Sequence, residues 1–458
     1  MLRLTPTYGL GVICAGTLVV PMDSAVNVAF PAIIRAFGLP VREIQGVVIA
    51  YTLAYAALML VFGRIGDLLG HRRVFLAGNA GSVVAFLLCA ASPSLPLLLL
   101  ARIAQGVSAA LVLSCGPALA TALYPEKQRT RVLGIYTMVF GAGAAAGSII
   151  GGLLLQWFDW PSVFWFRAPL SLAAFLLAWG LAPSAPSGPR EPINLGGACL
   201  LVLTIAAFLL GLGHLQTVAG AVAYFLLFAV AATGFIMHEY RAAFPIIDLR
   251  LFCNTDFALF NASHVASSLI WFTVPLLMPF FLDRVLALPA RQIGILLAVS
   301  SIATAAAAAI AGRLASHIPP QRLAVLGAAL MTAGQALIGT ITPSLSLTAL
   351  GAWLAVQGAG FGLFQVAYFD IVTATMPREN RGVAGSLVMM TRTVGVVIGA
   401  TTLVLFFPAL RSSTPTGDMG AFIASFHRAF RFTVLLPAAI VLAGLMRGWL
   451  SAQSSVSR

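Results

Sequence analysis

The chain has 458 residues, of which 60% are hydrophobic and only 9% charged, whereas an ordinary soluble domain carries about 25% charged residues. So few charges cannot cover a water-exposed surface, and with a mean hydropathy of +0.99 the composition describes an integral membrane protein. The net charge of +13 comes from 25 arginines and one lysine, Lys127, set in ones, twos and threes between apolar runs; nucleic acid needs a dense basic patch interleaved with aromatics, so no nucleic-acid partner is expected.

A bilayer-spanning helix needs roughly 20 predominantly apolar residues. Runs of that kind fall at about 9–31, 45–63, 74–91, 96–122, 131–155, 161–182, 195–213, 218–236, 257–282, 291–312, 323–341, 345–371, 382–408 and 430–449, which predicts fourteen spans. Met1-Leu-Arg3 before an apolar run has the outline of a signal peptide. The run continues through Asp23 to Phe37 without a small-residue cleavage site, so it is taken as span one. An even number of spans puts both termini on one side. Placing them inside leaves sixteen basic residues in cytoplasmic segments against seven outside, with Arg102, Arg167 and Arg392 within spans. The positive-inside rule therefore favours cytoplasmic termini.

Several chemistries are missing along this path. Lys127 sits in Pro-Glu-Lys-Gln-Arg and not in a GxxxxGK[ST] loop, so no nucleotide is expected. With no lysine in an apolar run, a Schiff base is excluded as well. The five cysteines (Cys14, Cys89, Cys115, Cys199, Cys253) form no CxxC pair and suggest reduced, structural thiols. The six histidines include no HExxH, and neither a metal nor an enzymatic activity is expected.

The chain also repeats itself. Gly63-Arg64-Ile65 through Arg73-Val74 matches Gly312-Arg313-Leu314 through Arg322-Leu323 at an offset of 249, and Gln105-Gly106 matches Gln357-Gly358 at 252. Pro125–Gly147 matches Pro377–Gly399 at the same offset of 252, pairing Gly143 with Gly395 and Gly147 with Gly399. The repeat unit is six spans, which leaves spans seven and eight as an insertion between the Pro/Ser/Gly-rich linker Ala182–Pro192 and an amphipathic connector, Glu239–Asp256. The expected organisation is an N-terminal six-helix bundle over 1–182, a linker with two additional helices and a connector over 183–256, and a C-terminal six-helix bundle with a short tail over 257–458. Parallel halves related about the membrane normal belong to rocking transporters with a midplane substrate site.

Four stretches carry a family likeness: Met22-Asp23-Ser24-Ala25-Val26-Asn27-Val28-Ala29-Phe30-Pro31 in span one; Gly63-Arg64-Ile65-Gly66-Asp67-Leu68-Leu69-Gly70-His71-Arg72-Arg73 after span two; Arg102-Ile103-Ala104-Gln105-Gly106 in span four; and Gly134, Gly143, Gly147 and Gly151-Gly152 in span five. In order and in the right spans, they resemble the signatures of the major facilitator superfamily, specifically its fourteen-span drug:proton antiporter family. The resemblance implies an all-α integral membrane protein of the major facilitator fold, two six-helix bundles plus two inserted helices. It departs at Leu68, usually Arg; at Ser148, usually Pro; at Ser316, opposite Asp67; and at Arg167, usually Asn.

An ionised group at the bilayer centre costs at least ~3 kcal/mol, so such residues are functional candidates. Asp23 lies ~12 Å deep in span one and Arg102 ~10 Å deep in span four from the same side, at 1.5 Å per residue. Similar depth lets them pair. An arginine beside a desolvated carboxylate favours its ionised form, and withdrawing the arginine favours the protonated one. A pair that conformation makes and breaks is thus a proton-coupling device, and a static ion pair is the competing expectation. Arg392 in span thirteen has three uses open to it: pairing with Asp370, meeting an anionic substrate, or binding backbone carbonyls. Arg167 is expected to snorkel to the interface. Asp370 is expected to be a helix-end residue.

Gly143, Gly147 and Gly151 fall on one helix face and allow close helix approach. In the family this surface seals the cytoplasmic-side cavity of the outward-facing state, and a mere packing motif is the competing reading. Gly63, Asp67, Gly70, Arg72 and Arg73 would shape the turn between spans two and three, with Asp67 capping a helix or pairing with Arg72. Candidate cavity residues are Asn27, Tyr51, Tyr55, Gln105, Trp271, Phe272, Phe361, Phe364, Gln365 and Arg392. The expected function is proton-driven export of lipophilic small molecules by a monomer in a bacterial-type plasma (inner) membrane, in contact with lipid and without a cofactor beyond the proton gradient. Two alternatives stand beside it: a lipid or glycolipid flippase, and an exporter of one specific metabolite, an anionic one included.

Overall fold

The computed structural model describes residues 6–39, 43–125, 128–181, 194–213, 218–242, 245, 249–314, 318–375, 381–405 and 419–456. The linker at 182–192, the loop residues Glu126 and Lys127, and Ser316 lie outside the described residues. All regular structure among the described residues is helical.

Each of the fourteen predicted runs corresponds to a helical rod, and among the described residues ten rods are long and apolar enough to cross a membrane. The first rod is broken. Helix α1 (Pro6–Leu18) gives way to a 3-10 turn at Pro21–Asp23 before α2 (Ser24–Phe37) resumes. Pro21 has no N–H to donate and its ring crowds the preceding turn, so the α-helical ladder cannot pass through it. The turn is held instead by i→i−3 bonds, Val20 N–H to Thr17 O at 3.1 Å and Asp23 N–H to Val20 O at 3.1 Å. Gly38, at φ 62°, then stops α2 in the left-handed conformation that glycine adopts without penalty. Next come α3 (Ile44–Leu69), α4 (His71–Ala90), α5 (Leu95–Ala122) and α6 (Arg129–Trp157). The sixth rod is broken too, into α7 (Ser162–Trp165) and α8 (Arg167–Trp179).

Helices α9 (Leu195–Gly213) and α10 (Val218–Arg241) pack on each other, and α9 rests against α3 and also against α15 (Arg381–Leu405). Leu226 and Val230 on α10 are exposed, which suits a surface facing lipid chains. The remaining rods are α11 (Thr255–Arg284), α12 (Ala290–Leu314), α13 (Pro320–Ile338), α14 (Leu347–Thr375) and α16 (Met419–Val456).

The repeat read from the sequence is a repeat of contacts. A Cβ on Gly106 would strike the Tyr51 carbonyl, and one on Gly358 would strike the Ser300 carbonyl. Gly143 abuts the Leu18 carbonyl and Pro21, while Gly395 abuts the Val265 carbonyl and Ser268. Gly147 abuts Met22, and Gly399 abuts Leu269. Glycines at equivalent places thus bring the same pairs of rods to backbone contact, as close small-residue packing in membranes requires.

The halves meet along α6 and α12, α3 and α15, and α2 and α11. At the end that carries the C-termini of α2 and α11, one apolar core draws on both halves, with Phe30 stacked on Phe280 at 6.3 Å between ring centroids. An ion pair between Arg35 and Asp283, 2.8 Å, lies beyond it.

Candidate functional site

Asp23 closes the 3-10 turn of the first rod, and its carboxylate points into its own half. Arg102 on α5 meets it with two parallel hydrogen bonds, Nη1 to Oδ1 at 2.7 Å and Nη2 to Oδ2 at 2.9 Å. This fork-on-carboxylate geometry is the strong form of the pair. Gln105, one turn along α5, donates Nε2 to Oδ1 at 2.8 Å and accepts Arg102 Nη1 at 2.7 Å. The remaining Arg102 donor, Nε, satisfies the Val47 carbonyl at 3.1 Å. The guanidinium also lies 4.4 Å over the Tyr51 ring.

Arg167 joins this cluster, which corrects the expectation that it snorkels to an interface. It is fully buried and donates Nη1 to Asp23 Oδ1 at 2.9 Å. Its Nε bonds the Val163 carbonyl at 3.1 Å, and Phe86 covers the guanidinium at 4.4 Å. The cause is the break between α7 and α8. Arg167 opens α8, and its side chain folds back one turn toward Val163 and Asp23 instead of running outward. The site therefore holds two guanidinium groups and one carboxylate, a surplus positive charge away from water.

Tyr51 leads away from the cluster. Its ring stacks on Tyr55 at 6.1 Å, and α3, which carries both, packs on α15 of the other half. Tyr51 and Tyr55 thus connect the acid of one half to the other half.

A cavity of about 30 Å³ lies between the halves, room for water but not yet for a larger ligand. From α6 it is lined by Tyr136, Phe140, Gly141 and Ala144, and from α12 by Ser301, Thr304, Ala305 and Ala308. Trp271, Gln365, Met389 and Arg392 complete the wall. Of the cavity residues expected from sequence, the structure places Trp271, Gln365 and Arg392 on this wall. Gln105 instead belongs to the acid cluster, and Asn27 is half-buried on α2. Phe272 and Phe364 pack in separate apolar cores, while Phe361 backs Trp271 at 5.2 Å. The small side chains of α6 and α12 gave no sequence signal, because alanine and serine at helical spacing look the same in a packing seam and a cavity.

Arg392 does not pair with Asp370, and no ion pair or hydrogen bond to it is found among the described residues. Its guanidinium lies instead among rings, 4.8 Å from Phe140, 5.1 Å from Trp271 and 5.8 Å from Phe361. Phe140 is the residue that matches Arg392 at the repeat offset of 252, so the two face each other across the axis relating the halves.

The glycines of α6 divide between two faces. Gly143, Gly147 and Gly151 pack on the broken first rod, against Leu18 and Pro21, Met22 and Ser24, and Ala25 respectively. Those contacts lie within their own half, and contact with the other half is made elsewhere on the helix. That contact falls to Gly141, against Ala305, and to Gly152, against the Ala290 carbonyl and Gly294. Ser24 adds a bond from its hydroxyl to the Ala144 carbonyl, 2.5 Å.

In the turn after α3, Gly70 at φ 91° bonds back to the Gly66 carbonyl at 2.9 Å. Arg72 caps α8 by donating to the Trp179 carbonyl, a favourable place for a cation. Gly63 lies near the C-terminal end of α3, and Arg73 is exposed. The Asp67 side chain, and with it the expectation that it caps or pairs with Arg72, lies outside the described residues. All five cysteines are free.

A second buried polar cluster escaped the sequence. His264 on α11 stacks on Tyr368 at 4.0 Å, and its Nδ1 meets Thr391 Oγ1 at 2.9 Å. The Tyr368 hydroxyl donates to Asn261 Oδ1 at 2.8 Å. His264, a lone histidine in an apolar run, carried no motif to mark it.

The family model described as Major Facilitator Superfamily matches residues 12–400 and 260–452. A riboflavin transporter, RibZ, of Clostridioides difficile is 28% identical over 404 residues, 86% of this chain and 87% of that one. The multidrug efflux pump LfrA of Mycolicibacterium smegmatis is 28% identical over 450 residues, 95% and 89% of the two chains. The puromycin resistance protein pur8 of Streptomyces alboniger is 31% identical over 442 residues, 91% and 83%. Among solved structures, the nucleoside transporter NupG superposes with a TM-score of 0.68 at 12% identity, covering 96% of this chain and 99% of that one. A D-xylose-proton symporter superposes with a TM-score of 0.67 at 14% identity, covering 96% of each.

Proposed function

The chain belongs to the Major Facilitator Superfamily and is a membrane transporter of that family, and from this premise we propose that it exports lipophilic small molecules by alternating access, in exchange for protons. It works as a monomer in a bacterial-type inner membrane with both termini cytoplasmic, and needs no cofactor beyond the proton gradient. The observation that carries this reading is the buried carboxylate of Asp23, held by Arg102 and Arg167 on a break in its own rod. A buried ion pair is a poor stabiliser compared with well-packed apolar residues, which favours a working role over a structural one. The names of the relatives, an efflux pump and a resistance protein among them, agree with export.

The coupling follows from which elements touch the acid. Helix α6 packs by one glycine face on the Pro21–Asp23 turn and by the other on α12 of the opposite half. Rocking of the halves pulls on α6, α6 shifts the turn, and the carboxylate moves relative to the two guanidinium groups. Separated from them, it takes a proton; returned to them, it releases it. Linkage makes the reverse hold as well, so proton binding biases the rocking.

Purified protein in liposomes tests this. Uptake of a lipophilic dye under an imposed pH gradient should fall at least tenfold in Asp23→Asn, while gradient-free exchange of the dye persists. Undiminished gradient-driven uptake in that variant would remove Asp23 from the mechanism.

A further inference from the structure

We propose that the cavity between the halves, water-sized in this structure and widened when the halves rock apart, is a site for a flat aromatic ligand carrying an anionic group, with Arg392 as its counter-ion. Among the described residues Arg392 is the one ionisable cation on the cavity wall, and no carboxylate shares that wall. The contrast with the acid cluster is the point. Arg102 and Arg167 each have a carboxylate oxygen within 2.9 Å, whereas among the described residues Arg392 meets only ring faces. Cation–π contact returns part of the lost hydration of a guanidinium, but it leaves the N–H donors along the edge of the fork without acceptors. A carboxylate or sulfonate fits that edge with two parallel bonds.

The rings supply the rest of the site. Trp271 and Phe361 stack at 5.2 Å with 19° between their planes, so one face of the Trp271 ring is already backed while the residue lies on the cavity wall. Phe140 lies across the axis from Arg392. An aromatic ligand can continue the Trp271 stack while its anionic edge turns to Arg392. Gln365, also on the wall, adds a neutral amide. A cationic ligand would meet the Arg392 charge in a low-dielectric setting with nothing to offset it.

This assignment rests on the transport reading only in taking the cavity as the cargo's path, and the two fail separately. Calorimetric titration of the purified protein with 2-naphthoate, its neutral amide and 2-naphthylmethylammonium tests the assignment. A charge-assisted contact of this kind corresponds to roughly a tenfold or larger preference. The naphthoate should bind at least about tenfold tighter than the amide, and the ammonium compound weakest. In Arg392→Gln the preference should vanish while the amide binds as before, which also shows that the variant is folded. In Arg392→Lys, which keeps the charge but loses the fork, the preference should shrink several-fold. Equal binding of naphthoate and amide, tightest binding of the ammonium compound, no binding of any of the three, or an undiminished preference in both variants would overturn the assignment. Gradient-driven uptake of a neutral dye in the same preparation then separates the two ideas. Uptake without anion preference leaves transport standing and removes the site. Arg392-dependent naphthoate binding without uptake does the reverse.

Discussion

At Asp23 two arginines share one acceptor oxygen, and they are not equal partners. Arg102 bonds both carboxylate oxygens and is itself held by Gln105 and the Val47 carbonyl; Arg167 makes a single bond to Oδ1. Removing Arg102 therefore breaks the forked pair and leaves Gln105 Oε1 without its strongest donor. Arg102→Gln should lower unfolding stability by roughly 3–6 kcal/mol, for the loss of two charge-assisted bonds to the carboxylate. Arg167→Gln should cost less, about 1–3 kcal/mol for one charge-assisted bond. Thermal unfolding of the two variants in the same detergent checks the order, and a larger loss for Arg167→Gln would contradict it. The same scale holds what sequence could not reveal. Asp23 and Arg102 stood out because a charge inside an apolar run is costly wherever it points. Arg167 sat near a run's end, where snorkelling satisfies a long side chain equally well, and only the break between α7 and α8 turns it inward. At His264 and Tyr368 the bonds are neutral, so Tyr368→Phe, which leaves Asn261 Oδ1 without its donor, should cost about 1–3 kcal/mol in the same measurement.

Helix α6 is the element on which both halves depend. Its glycine spacing was legible in the sequence as close packing, but spacing alone does not say which neighbour is packed. A period of four residues fixes a face and leaves the partner to tertiary structure. Gly143, Gly147 and Gly151 turned out to hold the broken first rod, and Gly141 and Gly152 the opposite half. The two faces predict different failures. A Cβ on Gly147 meets Met22 Cα at 2.7 Å as well as the Ser24 hydroxyl, within one half. Gly147→Ala should therefore reduce stability, by about 1–3 kcal/mol for overpacking, seen as a lower unfolding temperature. A Cβ on Gly152 meets the Ala290 carbonyl at 2.6 Å and Gly294 Cα at 3.1 Å, across the interface between halves. Gly152→Ala should instead push α6 and α12 apart and shift the balance of conformations. Paired spin labels on these two helices would report a longer mean distance, with much less change in unfolding temperature than in Gly147→Ala.

Across the whole molecule the two halves share their packing but not their chemistry. The glycine contacts repeat from one half to the other, and this was readable because small residues at helix crossings are dictated by backbone approach. The charges do not repeat. In the glycine register that pairs Met22 with Leu269, Asp23 falls opposite Ile270, and Arg102 falls opposite Leu354 at the Gln105–Gln357 offset. Conversely, Arg392 answers Phe140. One half thus carries the acid cluster, the other places its cation at the shared cavity, and the stacked pair Tyr51–Tyr55 lies between them. Such a division works only if the halves move as bodies, and the end closed by Phe30, Phe280 and the Arg35–Asp283 pair is where they must part. The exposed ion pair adds little to holding them together, so the apolar core beneath it is the barrier. Replacing Arg35 and Asp283 with cysteines and bridging them with a short disulfide-containing linker should therefore stop gradient-driven uptake, and reduction of the linker should restore it. With the five native cysteines first replaced by serine, the variants carrying only one of the two new cysteines cannot be bridged and should transport within about twofold of that cysteine-free parent, as expected for loss of an exposed pair. Uptake that continues in the fully bridged protein would mean that this end stays shut throughout turnover and that the halves do not rock about the central cavity.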